Sequence, residues 1–135
     1  MLFRSAANDV LGRINFYAPL ETGADAISVA ASIVAQAEEA FSTAVNSTSL
    51  RFQTGKSEVA TTKMVIDEYG HVTPGDDNTQ DLGSPLKRWA NVYTGDLHLK
   101  NDRGDWTILE EEEYLCVVNN KSGKKYKMML QEIEN

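Results

Sequence analysis

The sequence predicts a mainly β fold of short antiparallel strands and hairpins, ending in a C-terminal β-hairpin. Three observations predict it. Apolar and polar residues alternate with a period of two in several short runs. Gly, Pro, Asn and Asp separate those runs at short intervals. Residues 113–133 have the composition of two strand arms around a tight loop.

Residues 1–10 form an N-terminal segment. Its opening, "MLFRS", can be back-translated to a start codon followed by sequencing-adaptor sequence. The segment is therefore expected to be truncated or artefactual, and the chain a metagenomic fragment from the C-terminal part of something longer. A β-rich module follows over 11–75. "LGRINFYA" (11–18) sets Ile14 and Phe16 against Arg13, Asn15 and Tyr17, a half-buried strand that stops at Pro19. "SLRFQTG" (49–55) repeats the device with Leu50 and Phe52 on one face and Gly55 closing the run. In "TTKMVIDEYGHVTPG" (61–75), Met64 and Ile66 share a face, Asp67 to Gly70 turn the chain, and Val72 resumes the strand. Asp at the start and Gly at the end fit a type I turn with one left-handed residue.

Residues 29–45, "VAASIVAQAEEAFSTAV", admit two readings. Ala30, Ile33, Val34, Ala37 and Phe41 fall at helical spacing, and alanine favours helix. A strand with Ile33, Ala35 and Ala37 on one face is also available. Propensity alone favours the helix.

Residues 76–88 read as a linker and turn, with Gly83, Ser84 and Pro85 re-aiming the chain. A C-terminal strand module occupies 89–135. It contains "GDLHLKND" (95–102), "RGDWTILEE" (103–111), where Gly104 and Asp105 turn before Trp106, and the hairpin 113–133. In the hairpin, Tyr114–Val118 and Tyr126–Leu130 are the arms. Gly123, Asn119 and Asn120 are expected to supply its positive-φ positions. Glu110 to Glu113 are expected at one end of this sheet and Lys121, Lys124, Lys125 and Lys127 at the other, as a solvated rim that discourages edge pairing.

Composition narrows the function classes. The chain has 135 residues, 41% hydrophobic and 24% charged, with a net charge of −7. Its lysines and arginines are scattered, which argues against a phosphate-binding surface and so against nucleic acid. No apolar run approaches the ~20 residues of a membrane-spanning helix, and the N-terminus lacks the apolar core of a signal peptide. The single Cys116 lies in the strand-like "YLCVV" and reads as a buried, inert thiol.

Catalytic and metal patterns are not found. His71 and His98 occupy separate strand contexts, with no cysteine or second histidine at ligand spacing. There is no G-x-S-x-G elbow and no phosphate-cradling glycine loop. "GDDNTQD" (75–81) offers oxygen ligands but not the order of an EF-hand loop. No enzymatic activity, metal or cofactor is therefore expected. Trp89, Tyr93, Trp106 and Tyr114 combine an apolar body with a polar edge, which suits sugar faces and subunit interfaces alike. Packing is the favoured reading. The alternative is a carbohydrate-binding module that stacks sugars on Trp106 and Tyr114.

"LGSPLKRWANVYTGDLHL" (82–99) resembles a segment of bacteriophage tail-fibre and tail-spike proteins, in which Asp-Leu-Gly-Ser and Arg-Trp-x-Asn-Val-Tyr precede the C-terminal region. "GRINFYAP", "AASIVAQAEEAF", "TSLRFQTG" and "KMVIDEYGHVTPG" are similar, in the same order, to the shaft or platform units of such fibres. The resemblance spans roughly residues 11–99 and implies an intertwined homotrimeric fibre module in a virion, assembled in the host cytoplasm. It implies other tail proteins as partners, together with a contribution to host attachment through a surface glycan. It also turns residues 29–38 into a strand. Phe16, Ile33, Phe52, Ile66, Trp89, Val92 and Tyr93 become the candidate core or subunit interface, with Lys87 and Arg88 facing solvent or acidic neighbours. Many such fibres continue into a self-cleaving intramolecular chaperone with a catalytic Ser and Lys. The 103–133 strands show no counterpart, so autoproteolysis is not carried over. Short half-apolar strands with few large side chains gain burial by wrapping around copies of themselves. A single copy is therefore expected to display apolar stripes.

Overall fold

The computed structural model of the chain describes residues 5–18, 22–23 and 27–133. Met1–Arg4 of the opening segment and Pro19, the expected strand stop, lie outside the described residues. The chain divides into two compact units, Met1–Leu82 and Gly83–Asn135. Among the described residues there are nine strands and no helix.

The first unit is a five-stranded antiparallel sheet whose spatial order follows the chain: β1 (Val10–Phe16), β2 (Ala31–Ala37), β3 (Thr48–Thr54), β4 (Thr61–Ile66) and β5 (Val72–Pro74). Of the two readings of 29–45, the strand implied for 29–38 by the resemblance is the one that forms, as β2, and the helix favoured by propensity does not. That segment lies between β1 and β3 and pairs with both along its whole length, from Ala31↔Thr54 to Ala37↔Thr48 on one side. Two ladders of hydrogen bonds and β-branched Ile33 and Val34 outweigh a per-residue alanine preference worth only tenths of a kcal/mol. The expectation for β1 needs correction. The half-buried strand expected there is exposed at all seven residues, as an edge strand that no described residue of its unit covers.

The turn between β4 and β5 follows from its residues. Gly70 sits at φ 85°. Asp67 Oδ1 accepts from the backbone N–H groups of Tyr69 and His71, while Gly70 N donates to the Asp67 carbonyl. Asp67 also holds the His71 ring at 3.0 Å. Two bulges adjust the sheet, between Val10 and Gly12 and opposite Phe52/Gln53, where Lys63 is the extra residue. The Lys63 carbonyl accepts from Gly75 N, which ties the end of β5 to the bulge.

The second unit is a four-stranded antiparallel sheet, also in chain order: β6 (Leu97–Lys100), β7 (Asp105–Glu110), β8 (Leu115–Asn119) and β9 (Lys125–Lys127). Asn101 makes the β6–β7 turn, its side chain accepting from the N–H groups of Arg103 and Gly104. Asp105 already belongs to β7 rather than to the turn. The terminal hairpin forms, but its return arm is Lys125–Lys127 rather than Tyr126–Leu130. One further bond, Met128 N to Leu115 O, extends the contact. Gly123 takes the positive φ, 68°, whereas Asn119 and Asn120 do not. Asn119 instead accepts from Lys121 N and Ser122 N, and Asn120 Nδ2 donates to Asp105 and Thr107. Lys127 pairs with Cys116, toward the glutamate end and away from the other three lysines, and its ammonium sits 4.2 Å from the Tyr114 ring centroid. Cys116 is buried, as its apolar run indicates.

Glycine contacts yield a stability test. A Cβ at Gly75 would collide with the Thr62 carbonyl oxygen, while one at Gly12 would meet nothing within 4 Å. Gly75→Ala is expected to lower the stability of the fold by roughly 2 kcal/mol, because backbone must move. Gly12→Ala is expected to change it by no more than about 0.5 kcal/mol. Urea titration of both variants at one protein concentration checks the ordering.

Candidate functional site

Directly opposed residues in an antiparallel sheet share a face, and alternate residues along each strand return to it. The register of the first sheet therefore assembles one apolar face. Ile14, Ile33, Phe52, Met64 and Pro74 form a continuous row across all five strands. A second row runs Ala35, Leu50, Ile66 and Val72, and Phe16 extends the face beside Ala31. Four of the candidate interface residues, Phe16, Ile33, Phe52 and Ile66, are thus brought onto one surface. None of the four is buried, and Phe16 is 50% exposed. Ile14, Leu50, Met64 and Val72 complete the surface. Alternation within each strand marks them as apolar-face residues, but only the register joins them across strands. Over the β4–β5 end, Met64, Val72, Pro74 and Leu82 line a groove of about 480 Å³.

The opposite face is polar and closed. Ser32 donates to Gln53 at 2.6 Å, and Gln53 passes its amide to Thr62 at 3.2 Å. Arg51 bridges Ser49 and Glu38 at 3.1 and 3.0 Å. Ser32, Ser49 and Val34 are buried there, Val34 to 1% exposure. The Ser49 hydroxyl first, and then Arg51, hold the Glu38 carboxyl below the usual carboxylate range against the opposing effect of burial. The unpartnered side of this sheet is its apolar one, which inverts the usual arrangement in which a sheet turns its polar face to water.

Trp89, Val92 and Tyr93 belong to no strand and are exposed to 64, 68 and 93%. Gly83, at φ 90°, sits against the Trp89 indole, and Ser84 and Lys87 exchange backbone hydrogen bonds in the turn. Lys87 and Arg88 are exposed. In the second sheet Trp106 shares a face with Leu97, Leu99, Ile108, Val117 and Tyr126. Its indole lies over Gly104 and 6.0 Å from the Tyr126 ring. Tyr114 precedes β8, and its ring lies under Lys127, which pairs with Cys116 on the other face. The structure therefore sets Trp106 and Tyr114 apart and occupies one ring face of Tyr114.

The lowered Glu38 pKa fixes a sign. A carboxyl depressed below its ordinary value of 4.5 in the folded state stabilises the fold above that pH. The contribution is lost as pH falls through the folded-state value. Glu38→Gln is expected to reduce stability at neutral pH and to flatten its decline below 4.5. The wild-type minus variant difference in urea midpoint, measured from neutral pH downward, checks it.

No protein-family model matches this chain, and no curated protein matches it. Among solved structures, the carboxy-terminal domain of the bacteriophage T5 L-shaped tail fibre with its intramolecular chaperone domain is similar. The TM-score is 0.56 at 18% identity, over 74% of this chain and 25% of that one. The chain thus spans about a quarter of that structure and has a tail-fibre-like β fold.

Proposed function

We propose that this chain is a structural segment of a phage tail fibre or related virion appendage, and that it works as a homotrimer. The observation that carries the reading is the open apolar face running through Ile14, Ile33, Phe52, Met64 and Pro74. A half-exposed Ile, Leu or Phe that becomes buried contributes about 1 kcal/mol, so a face of this extent can drive stable association. The tail-fibre-like fold supports the appendage role. Threefold assembly is what the resemblance of residues 11–99 implies. The first partners are further copies of the chain, and the next are other tail proteins.

Face-directed substitutions test it. Ile33→Asp places a carboxylate in the proposed contact, while Asn15→Asp places one on the opposite face, where Asn15 pairs with Ser32. By sedimentation velocity, Ile33→Asp is expected to weaken the trimer on the order of a hundredfold or more, through lost burial and a desolvated charge. Asn15→Asp is expected to leave it intact. An unchanged oligomer in Ile33→Asp would overturn the reading.

A further inference from the structure

The second sheet carries opposite charge at its two ends. The end of β7 and the β7–β8 turn, Glu110 to Glu113, and Asp96 before β6 lie at one end, where Lys127 of β9 is the one cation among the described residues and sits against Tyr114. Lys121, Lys124 and Lys125 lie at the other, with the β6–β7 turn, where Lys100 and Arg103 are matched in number by Asp102 and Asp105 and leave the three lysines as the excess charge. Glu110 to Glu113 and these three lysines are exposed, and among the described residues none of the seven is in an ion pair. Six residues of β7 separate the ends, roughly 20 Å at the rise of a strand. That exceeds the screening length of about 10 Å at 0.1 M salt, so the ends of one copy do not neutralise each other.

A ring of three copies is heterologous: each copy offers one surface and receives its neighbour on a different one. With the Trp106 face turned toward a common axis, a four-stranded sheet can meet its neighbours by its edges or by its ends. Its edges are β6, whose Lys100 is paired with Asp105 at 3.5 Å, and β9, carrying Lys125 and Lys127. Edge pairing would set the two β9 lysines beside a third cation whose charge is already met, with no anion left to receive them. The ends are complementary.

We propose that the C-terminal sheets of neighbouring copies meet end to end, Glu110–Glu113 of one against Lys121, Lys124 and Lys125 of the next, with the Trp106 face toward the axis. This rests on the homotrimer reading. It orients the strands of this unit across the assembly axis rather than along it. Strands running along the axis of a parallel trimer would gather like ends, acid with acid.

The test is sedimentation equilibrium of the full chain from about 0.1 to about 1 M NaCl, over which the screening length falls from about 10 to about 3 Å. At the lower salt, Glu111→Gln/Glu112→Gln/Glu113→Gln is expected to weaken the trimer about tenfold, the size of a few exposed ion pairs. Its salt dependence is expected to flatten. Charge reversal at either end alone, Glu111→Lys/Glu112→Lys/Glu113→Lys or Lys121→Glu/Lys124→Glu/Lys125→Glu, is expected to weaken it further. Combining both reversals in one chain is expected to restore it. Circular dichroism controls for folding. A tighter trimer on neutralising the glutamates would place like ends together and overturn the proposal, as would an unchanged one. A monomeric wild-type chain would instead remove the homotrimer reading on which the proposal stands.

Discussion

A single-layered sheet has two faces, and among the described residues of the first unit only one is closed. Ser32, Gln53 and Thr62 hold one another across three strands, and Arg51 ties Ser49 to Glu38, so the polar face is satisfied internally. The apolar face has no such closure. The hydrophobic effect acts on it as on any exposed apolar area, and its relief must come from another surface. Across the polar face the side chains satisfy one another, while the apolar face keeps large side chains partly exposed.

The two sheets meet this constraint differently. The first has its apolar groups in two rows, one crossing all five strands and one crossing four. The second concentrates aromatic mass at Trp106 and Tyr126 and keeps small or polar groups, Thr107 and Cys116, as its buried pair. In the proposed assembly the apolar face of the first sheet would supply burial, and the polarised ends of the second sheet would supply direction. Burial alone does not fix which end of a copy meets its neighbour, whereas charge complementarity does.

Much of the fold was legible in the residues. Asp67 and Gly70 announced their turn, Gly123 its positive φ, and the alternation of Leu50 with Phe52 and of Met64 with Ile66 placed each pair on one face. Where the reading failed, tertiary context overrode a local signal. Over 29–45 the local spacing alone favoured a helix, whereas the strand that the resemblance implies for 29–38 is the one that pairing on both sides imposes as β2. The half-buried pattern of β1 promised a cover that one layer does not provide. Asn119 and Asn120 looked like left-handed residues, but their side chains are used in the turn and across to β7. The candidate surface was half legible. Alternation identified its residues strand by strand, but the register that unites them comes from pairing across strands, and between β3 and β4 it includes a bulge at Lys63 that no local pattern announces.

The central claim is that the open face is buried between copies of this chain, and native mass tests it most directly. Light scattering after size exclusion, over a dilution series of the wild-type chain, is predicted to give the mass of three copies at every dilution. A well-folded monomer, with its mass constant across the series, would contradict the account.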